Sequence, residues 1–548
     1  MPSLNEYTAS LNFKEAKHLM ERLSVGVGKE DIDFAEGKTA VEVVDYFLNL
    51  PYNQPSPPVN PSSGDTFHMR EEFNLVNQTF FLRRYIKSWW IKQCITTENP
   101  LLEKMVFFLH THFTNDDDKV GYAFPSYHQN ELFRQFAFGN IKTLAEKICY
   151  DTAMSVFLDG WTNTNTEPNE NFAREFLELF TIGKGPQVGE GDYTTFTEQD
   201  IKEAARILTG FVPYSMLPDT ILANIPGASP EIDSSTDLYK CSVVPFRHDN
   251  GTKTFSQAFQ NTVIQTGSNT VANIQNELSQ LIDMIFDQDA TAVFLAEKLY
   301  RFFVYYKITP EIKNDIILPL AETLKNNDYE LAPVLRQLFI SQHFFDADDT
   351  VIENDIAGST VKSPLELIVG AMRFLQVDLG EDDGLQQHYD TLNILNYAVE
   401  EMDMVLFHPP EVAGYAAYHQ TPAYNRNWIT STTLLQRYTT FELLVQDITI
   451  GGVTFNLDPV GLLGNPDLFS NPSDPDYVIS ILTDYLFPKG VDGSKKESLK
   501  QILRDEFPDF YWLDEWVSYE NSGDDSVIKP RLNSLFKSIL QSPEFQLK

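Results

Sequence analysis

Cysteine is scarce in this sequence of 548 residues. Cys94, Cys149 and Cys241 lie far apart with no Cys-x-x-Cys pair, which excludes a disulfide scaffold and a cysteine zinc site and leaves room for one bridge at most. Basic residues are also short. The 41 Lys plus Arg face 78 Asp plus Glu, a formal net charge of −37, and a field of that sign repels phosphate backbones and anionic headgroups. Nucleic acid and acidic membranes are therefore poor partners. There is no Gly-x-Ser-x-Gly elbow, no Walker loop, no Gly-x-Gly-x-x-Gly after a strand and no His-Glu-x-x-His, which disfavours nucleotide and dinucleotide enzymes. No stretch approaches the roughly 18 apolar residues of a spanning helix. Residues 1–12 contain Glu6 and no apolar core, so a cytoplasmic location is expected, with export the open alternative.

What is present in quantity is apolar surface. Hydrophobic residues make up 42% and aromatics 13%, enough for real cores and too much for a disordered chain. The length predicts two lobes or one extended helical body with insertions.

Along the chain nearly every apolar periodicity fits 3.6 residues. In 1–50, Ala16, Leu19, Met20 and Leu23 share a helical face that Val25-Gly26-Val27-Gly28 stops. Residues 51–75 carry Pro51, Pro55, Pro57, Pro58 and Pro61 and read as an extended linker. The span 76–345 reads as a central helical region. It includes an aromatic helical pair over 78–114, a helix over 169–183 with the stripe Phe172, Phe176, Leu179 and Phe180, and a second helix behind a Thr197/Asp200 capping box. Residues 216–275 lack periodicity and read as a long irregular excursion. Helices are expected again at 289–306, 319–325 and 332–345, followed by an acidic stretch, 346–355. A C-terminal helical region, 363–548, starts at Ser363-Pro364 and carries one hairpin signal near 448–457 around Gly451-Gly452. The expected class is mainly α: a multi-helical globular body with long irregular loops and a minor β-hairpin.

Several stretches together resemble the bacterial family catalogued as domain of unknown function 1800. They are Ala16 to Arg22, Phe107 to Thr114, Pro168-Asn169-Glu170-Asn171-Phe172-Ala173-Arg174-Glu175 through Phe180, Tyr193 to Phe211, His248-Asp249 before Gly251 to Phe255, Ala292 to Val304, Val361 to Pro364, Pro409 to Tyr415 and Trp428 to Arg437. The Asn-Glu-Asn-Phe-Ala-Arg-Glu run is the specific part, because helix periodicity does not explain its order of residue types. Glu167 and Tyr415 stand where many members carry Asn and Trp. The resemblance implies no activity. It implies a protein partner from the family catalogued as domain of unknown function 1501, whose members look like sulfatase-type hydrolases.

The candidate chemistry lies in three places. His110-x-His112 invites a metal, yet residues two apart on a helix point about 200° apart, so both reach one ion only where the helix unwinds at Leu109. Otherwise they are core histidines. Glu175 and Glu178, three apart, could hold one cation, or Arg174 and Glu178 could form an ordinary i,i+4 pair. Asn169 and Asn171 exceed what one helix cap requires. His248-Asp249 with Lys253 could be an oriented base, a ligand set or loop glue.

Two functions follow. In the first, a metal-assisted hydrolase or related enzyme uses Arg174, Glu175, His248 and Asp249 for catalysis, Asn169, Asn171 and Lys253 for substrate, and His110, His112 and Glu178 for a divalent metal, all in one shared cavity. In the second, a non-catalytic assembly partner of a separate hydrolase uses the same residues as interhelical clamps.

Overall fold

Short polar residues start the helices of this chain and apolar stripes hold them together. Asn12 accepts from the backbone N–H of Lys14 (3.0 Å) and Glu15 (3.2 Å), and Glu15 returns a bond to the Asn12 N–H (2.8 Å), fixing the start of helix Phe13–Leu23. Ser363 does the same for Pro364–Phe374 with Glu366. Thr197 and Asp200 form the expected box ahead of Glu198–Ile207.

In this computed structural model the described residues are all but Met1, 69–78, 218, 226, 227, 230, 266, 349–354, 382, 383, 447, 451, 452, 456 and 506. The protein is 58% helical, and the strands among the described residues form only two-stranded antiparallel pairs. The mainly α expectation is met. The expected C-terminal hairpin pairs Ile448 with Phe455 and Ile450 with Val453; the Gly451-Gly452 turn itself lies outside the described residues, as does part of the proline-rich linker. No described helix is long and apolar enough to cross a membrane.

One apolar cluster runs from Leu11 to Phe545 and includes Trp90, Trp512 and Trp516, all nearly fully buried. Buried polar contacts tie chain ends to the middle: Arg22 donates to the carbonyls of Val304 (3.1 Å) and Ile356 (2.8 Å).

Three departures from the sequence reading bear on function. The helix expected over 169–183 is α only over Glu170–Glu175 and continues as a π-helix over Phe176–Thr181. The irregular excursion ends early, because Val271–Phe286 is a helix. Its face of Ile274, Leu278, Leu281, Ile282 and Ile285 is buried, but Asn273, Gln275, Asn276 and Gln280 dilute the pattern. Finally, the helix expected to reach Phe345 stops at Phe339. There the Ser341 hydroxyl donates to the Leu338 carbonyl (2.7 Å) and accepts from the Phe344 N–H (3.2 Å), so residues 340–348 leave the helix as turns.

Candidate functional site

Asn169 caps helix Glu170–Glu175 by accepting from the Asn171 N–H (3.0 Å), and Asn171 Nδ2 donates to the Leu158 carbonyl (3.1 Å). Arg174 grips Glu198 with two bonds (2.7 and 2.8 Å) and also reaches Glu170 (3.2 Å). Glu178 pairs with Lys184 (2.6 Å). Glu175 is half-buried, and desolvation, followed by the nearby Glu178 charge, holds its carboxyl above the usual range. This end of the motif is a network of mutual ion pairs.

His248 sits in a second network. Its Nδ1 lies 2.9 Å from the Thr209 carbonyl and its Nε2 2.9 Å from Glu277, with both side chains of the latter pair fully buried. Lys253 pairs with the same carboxylate (2.8 Å). Asp249 takes two bonds from Arg206 (2.9 and 3.0 Å). Gly210 permits this packing: at its φ of +86°, a Cβ would stand 2.9 Å from the Val244 carbonyl oxygen and 3.2 Å from the His248 nitrogen. Arg174 is thus held by Glu198, the first residue of helix Glu198–Ile207, and Asp249 by Arg206 at its other end. At 1.5 Å per residue those anchors stand about 12 Å apart along the axis. The two groups are anchored at opposite ends of that helix.

The histidines of the His-x-His pair also go separate ways. Helix Pro100–His112 stays regular through both, so the unwinding that joint ligation needs does not occur. His110 is wedged between Trp90 and Phe407, its Nε2 accepting from the Phe407 N–H (3.3 Å); His112 Nε2 lies 2.9 Å from the Phe180 carbonyl. Burial pushes both rings down to about 3. A different grouping has ligand-like spacing. Single ligand atoms of Asp116, Asp118 and His408 lie within 4.8 Å of one another, but Arg83 binds Asp118 and Lys87 lies 3.4 Å from the adjoining Asp117, so cations of the chain already compensate this acid cluster.

A fourth set was not singled out in the sequence. Tyr300, near the end of helix Asp289–Phe303, lies with its hydroxyl 2.9 Å from His343 Nε2, and His343 Nδ1 lies 2.7 Å from Asp348. In the neutral ring, a proton on Nδ1 toward Asp348 makes Nε2 the acceptor and the Tyr300 hydroxyl the donor. Ser3 braces the other two partners: its N–H donates to Asp348 (3.1 Å) and its carbonyl accepts from the His343 N–H (3.0 Å). Tyr300, His343 and Asp348 all line a cavity of about 430 Å³, with Tyr305, Asp346 and Asp355 among the other walls. Burial, then the fields of Asp348 and Asp346, pushes the Tyr300 phenol up.

The profile of the family described as Protein of unknown function (DUF1800) matches residues 18–547. The chain belongs to this family. No curated protein and no solved structure matches it.

Within this DUF1800 protein the Tyr300–His343–Asp348 chain has the order of a nucleophile or acid, a base and an orienting group. Two signals for it stood in the sequence. Tyr300 lies inside the Lys298 to Phe303 run that carries part of the family resemblance, and His343 precedes an acid by five residues. The helix stop at Phe339 that brings His343 to Tyr300 was hidden by the apolar spacing continuing to Phe344 and Phe345.

Proposed function

We propose that the protein is a hydrolase whose centre is the cavity lined by Tyr300, His343 and Asp348. The observation that carries this is the His343–Asp348 bond of 2.7 Å at a cavity of about 430 Å³, a size ordinary for small-molecule sites. Asp348 fixes the tautomer, which leaves Nε2 basic and aimed at a hydroxyl, the arrangement a general base requires. The substrate is not an anion. Among the described lining residues, Glu311, Asp346, Asp348 and Asp355 stand against one cation, Lys307, so phosphate and sulfate esters are repelled. The polar motif around Arg174 and the His248 group support this centre as clamps between helices. A divalent metal at Glu178, His110 or His112 has no comparable support.

The test is hydrolysis of a panel of chromogenic esters by the full chain and by His343→Gln, which keeps a polar side chain without the base. The expected result is a rate loss of about 100-fold or more. An unchanged rate in a folded variant would overturn the proposal.

A second reading is favoured by the closure of the Arg174 and His248 networks: an assembly partner of a sulfatase-like hydrolase of the domain of unknown function 1501 family. It predicts a stable complex with that protein in size-exclusion chromatography, and no esterase turnover in either variant or parent.

A further inference from the structure

A second cavity, of about 410 Å³, lies where the turn after helix Pro364–Phe374 meets helices Leu385–Glu400 and Pro459–Gly464 and strand Val453–Phe455. Among the described residues it shares no wall with the cavity of His343. Its volume is ordinary for small-molecule sites. Local bonds build its polar wall. Gln376, at a φ of +49°, turns the chain out of the first helix. Asp378 then accepts from the Gly380 N–H (2.8 Å), and Asp458 caps its helix by accepting from the Gly461 N–H (3.0 Å). Each carboxylate gives one oxygen to the backbone and so keeps acceptor capacity on the other. Asn465 Nδ2 donates to Gln376 Oε1 (3.2 Å) and Asn465 Oδ1 accepts from the Asp467 N–H (3.0 Å), which orients both amides. The bond to Asn465 uses the Gln376 oxygen, so the amide nitrogen of Gln376 supplies the donors. Water reaches this wall: Gln376, Asp378, Gln387 and Asp458 are exposed, and Asn465 is half-buried.

The character of the wall selects the ligand. Among the described lining residues two carboxylates stand with four neutral hydrogen-bonding side chains, Gln376, Gln387, Thr391 and Asn465, and with no Lys, Arg or His. Anions are repelled. An organic cation would pair with the acids and leave the amides and the hydroxyl without a role. A polyol uses both sets, because each of its hydroxyls donates once and accepts at its lone pairs: it can give a proton to Asp378 or Asp458 and accept one from Gln376. Leu375, Phe455 and Leu462, all buried, add apolar surface to the same cavity, which suits the C–H faces of a ring. We propose that this cavity is a binding site for a neutral saccharide. It does not rest on the hydrolase reading, since a sugar held here meets none of the residues of that centre.

The experiment is saturation-transfer difference NMR of the full chain with maltose, cellobiose, lactose and mannobiose, followed by titration of whichever binds. Expected is transfer to the ring protons of at least one of these sugars. Gln387→Trp, at an exposed helix position, should fill the cavity and abolish it. Asp378→Asn combined with Asp458→Asn keeps an oxygen for each backbone bond but trades charge-assisted hydrogen bonds for neutral ones, and should weaken binding by about 10-fold. Both variants should melt with the parent. No transfer to any of the four sugars at tens of millimolar would overturn the proposal, and so would transfer that persists undiminished in Gln387→Trp. Spermidine that binds the parent, is displaced by no sugar and is lost in the aspartate variant would overturn it in favour of an organic cation.

Discussion

Glu277→Leu is the sharpest perturbation of the clamp reading. Glu277 faces both His248 Nε2 and the Lys253 ammonium, and none of the three side chains is exposed. Removing the carboxylate takes away the buried anion bonded to the Lys253 ammonium and strips an imidazole of its partner. Breaking a buried pair by deleting one member costs about 3–5 kcal/mol. At roughly 2.1 cal/mol/K per residue, 548 residues give an unfolding entropy near 1.2 kcal/mol/K, so the melting temperature should drop by about 3–4 °C in scanning calorimetry. The double variant Glu277→Leu with Lys253→Met should recover more than half of that, because the buried charge that lost its bonded anion is removed with it. Arg174→Ala provides the contrast. Its pair with Glu198 is one-third exposed on both sides, and such a pair contributes about 0.2–1 kcal/mol, less than one degree. A Glu277→Leu protein melting with the parent, or a double variant no better than the single, would refute the claim that this network holds helix Val271–Phe286 to the excursion.

Two pH effects follow from groups whose burial decides their protonation. Burial raises the Asp151 carboxyl to about 7 against the bonds from Met154 and Gln129, so its contribution is full below an unfolded pKa near 4 and is lost as pH rises through about 7; Asp151→Asn, which keeps the helix cap, should gain melting temperature over the parent as pH goes from 4 to 8. The His110 ring is pushed down to about 3 by burial, so its contribution is present above pH 6.5 and lost as pH falls toward 3; His110→Gln should flatten the fall in melting temperature between pH 6.5 and 4.

How far the sequence could be read depended on whether a local rule decided the outcome. Helix starts at Asn169 and Ser363-Pro364 followed from local rules, a capping side chain in the first and a first-turn proline in the second, and both occur; at Thr197 the box is carried by Asp200, which accepts from the Thr197 N–H. The helix over Val271–Phe286 was missed because its polar face is made of amides rather than charges, which blurs the contrast that marks an amphipathic helix. The π-helix at Phe176–Thr181 was invisible for another reason: an apolar stripe fits either winding over so few residues. Candidate site residues were found in the right segments, but which of them meet is a matter of long-range packing. Glu277, the partner of His248, stands 29 positions on and lies in the helix that was not predicted.

Unused hydrogen-bonding capacity separates the two kinds of polar group in this chain. Around Arg174 and Arg206 each guanidinium grips a carboxylate with two bonds, and His248 has an oxygen against each ring nitrogen. A ligand could enter there only by breaking bonds that hold helices together. At His343 the chain of bonds ends on a hydroxyl instead. Tyr300 uses its single proton toward Nε2 and keeps both oxygen lone pairs, and the residue lines a cavity. A group that took the place of the Tyr300 hydroxyl at Nε2 would break one hydrogen bond, whereas at the motif around Arg174 it would break paired charges.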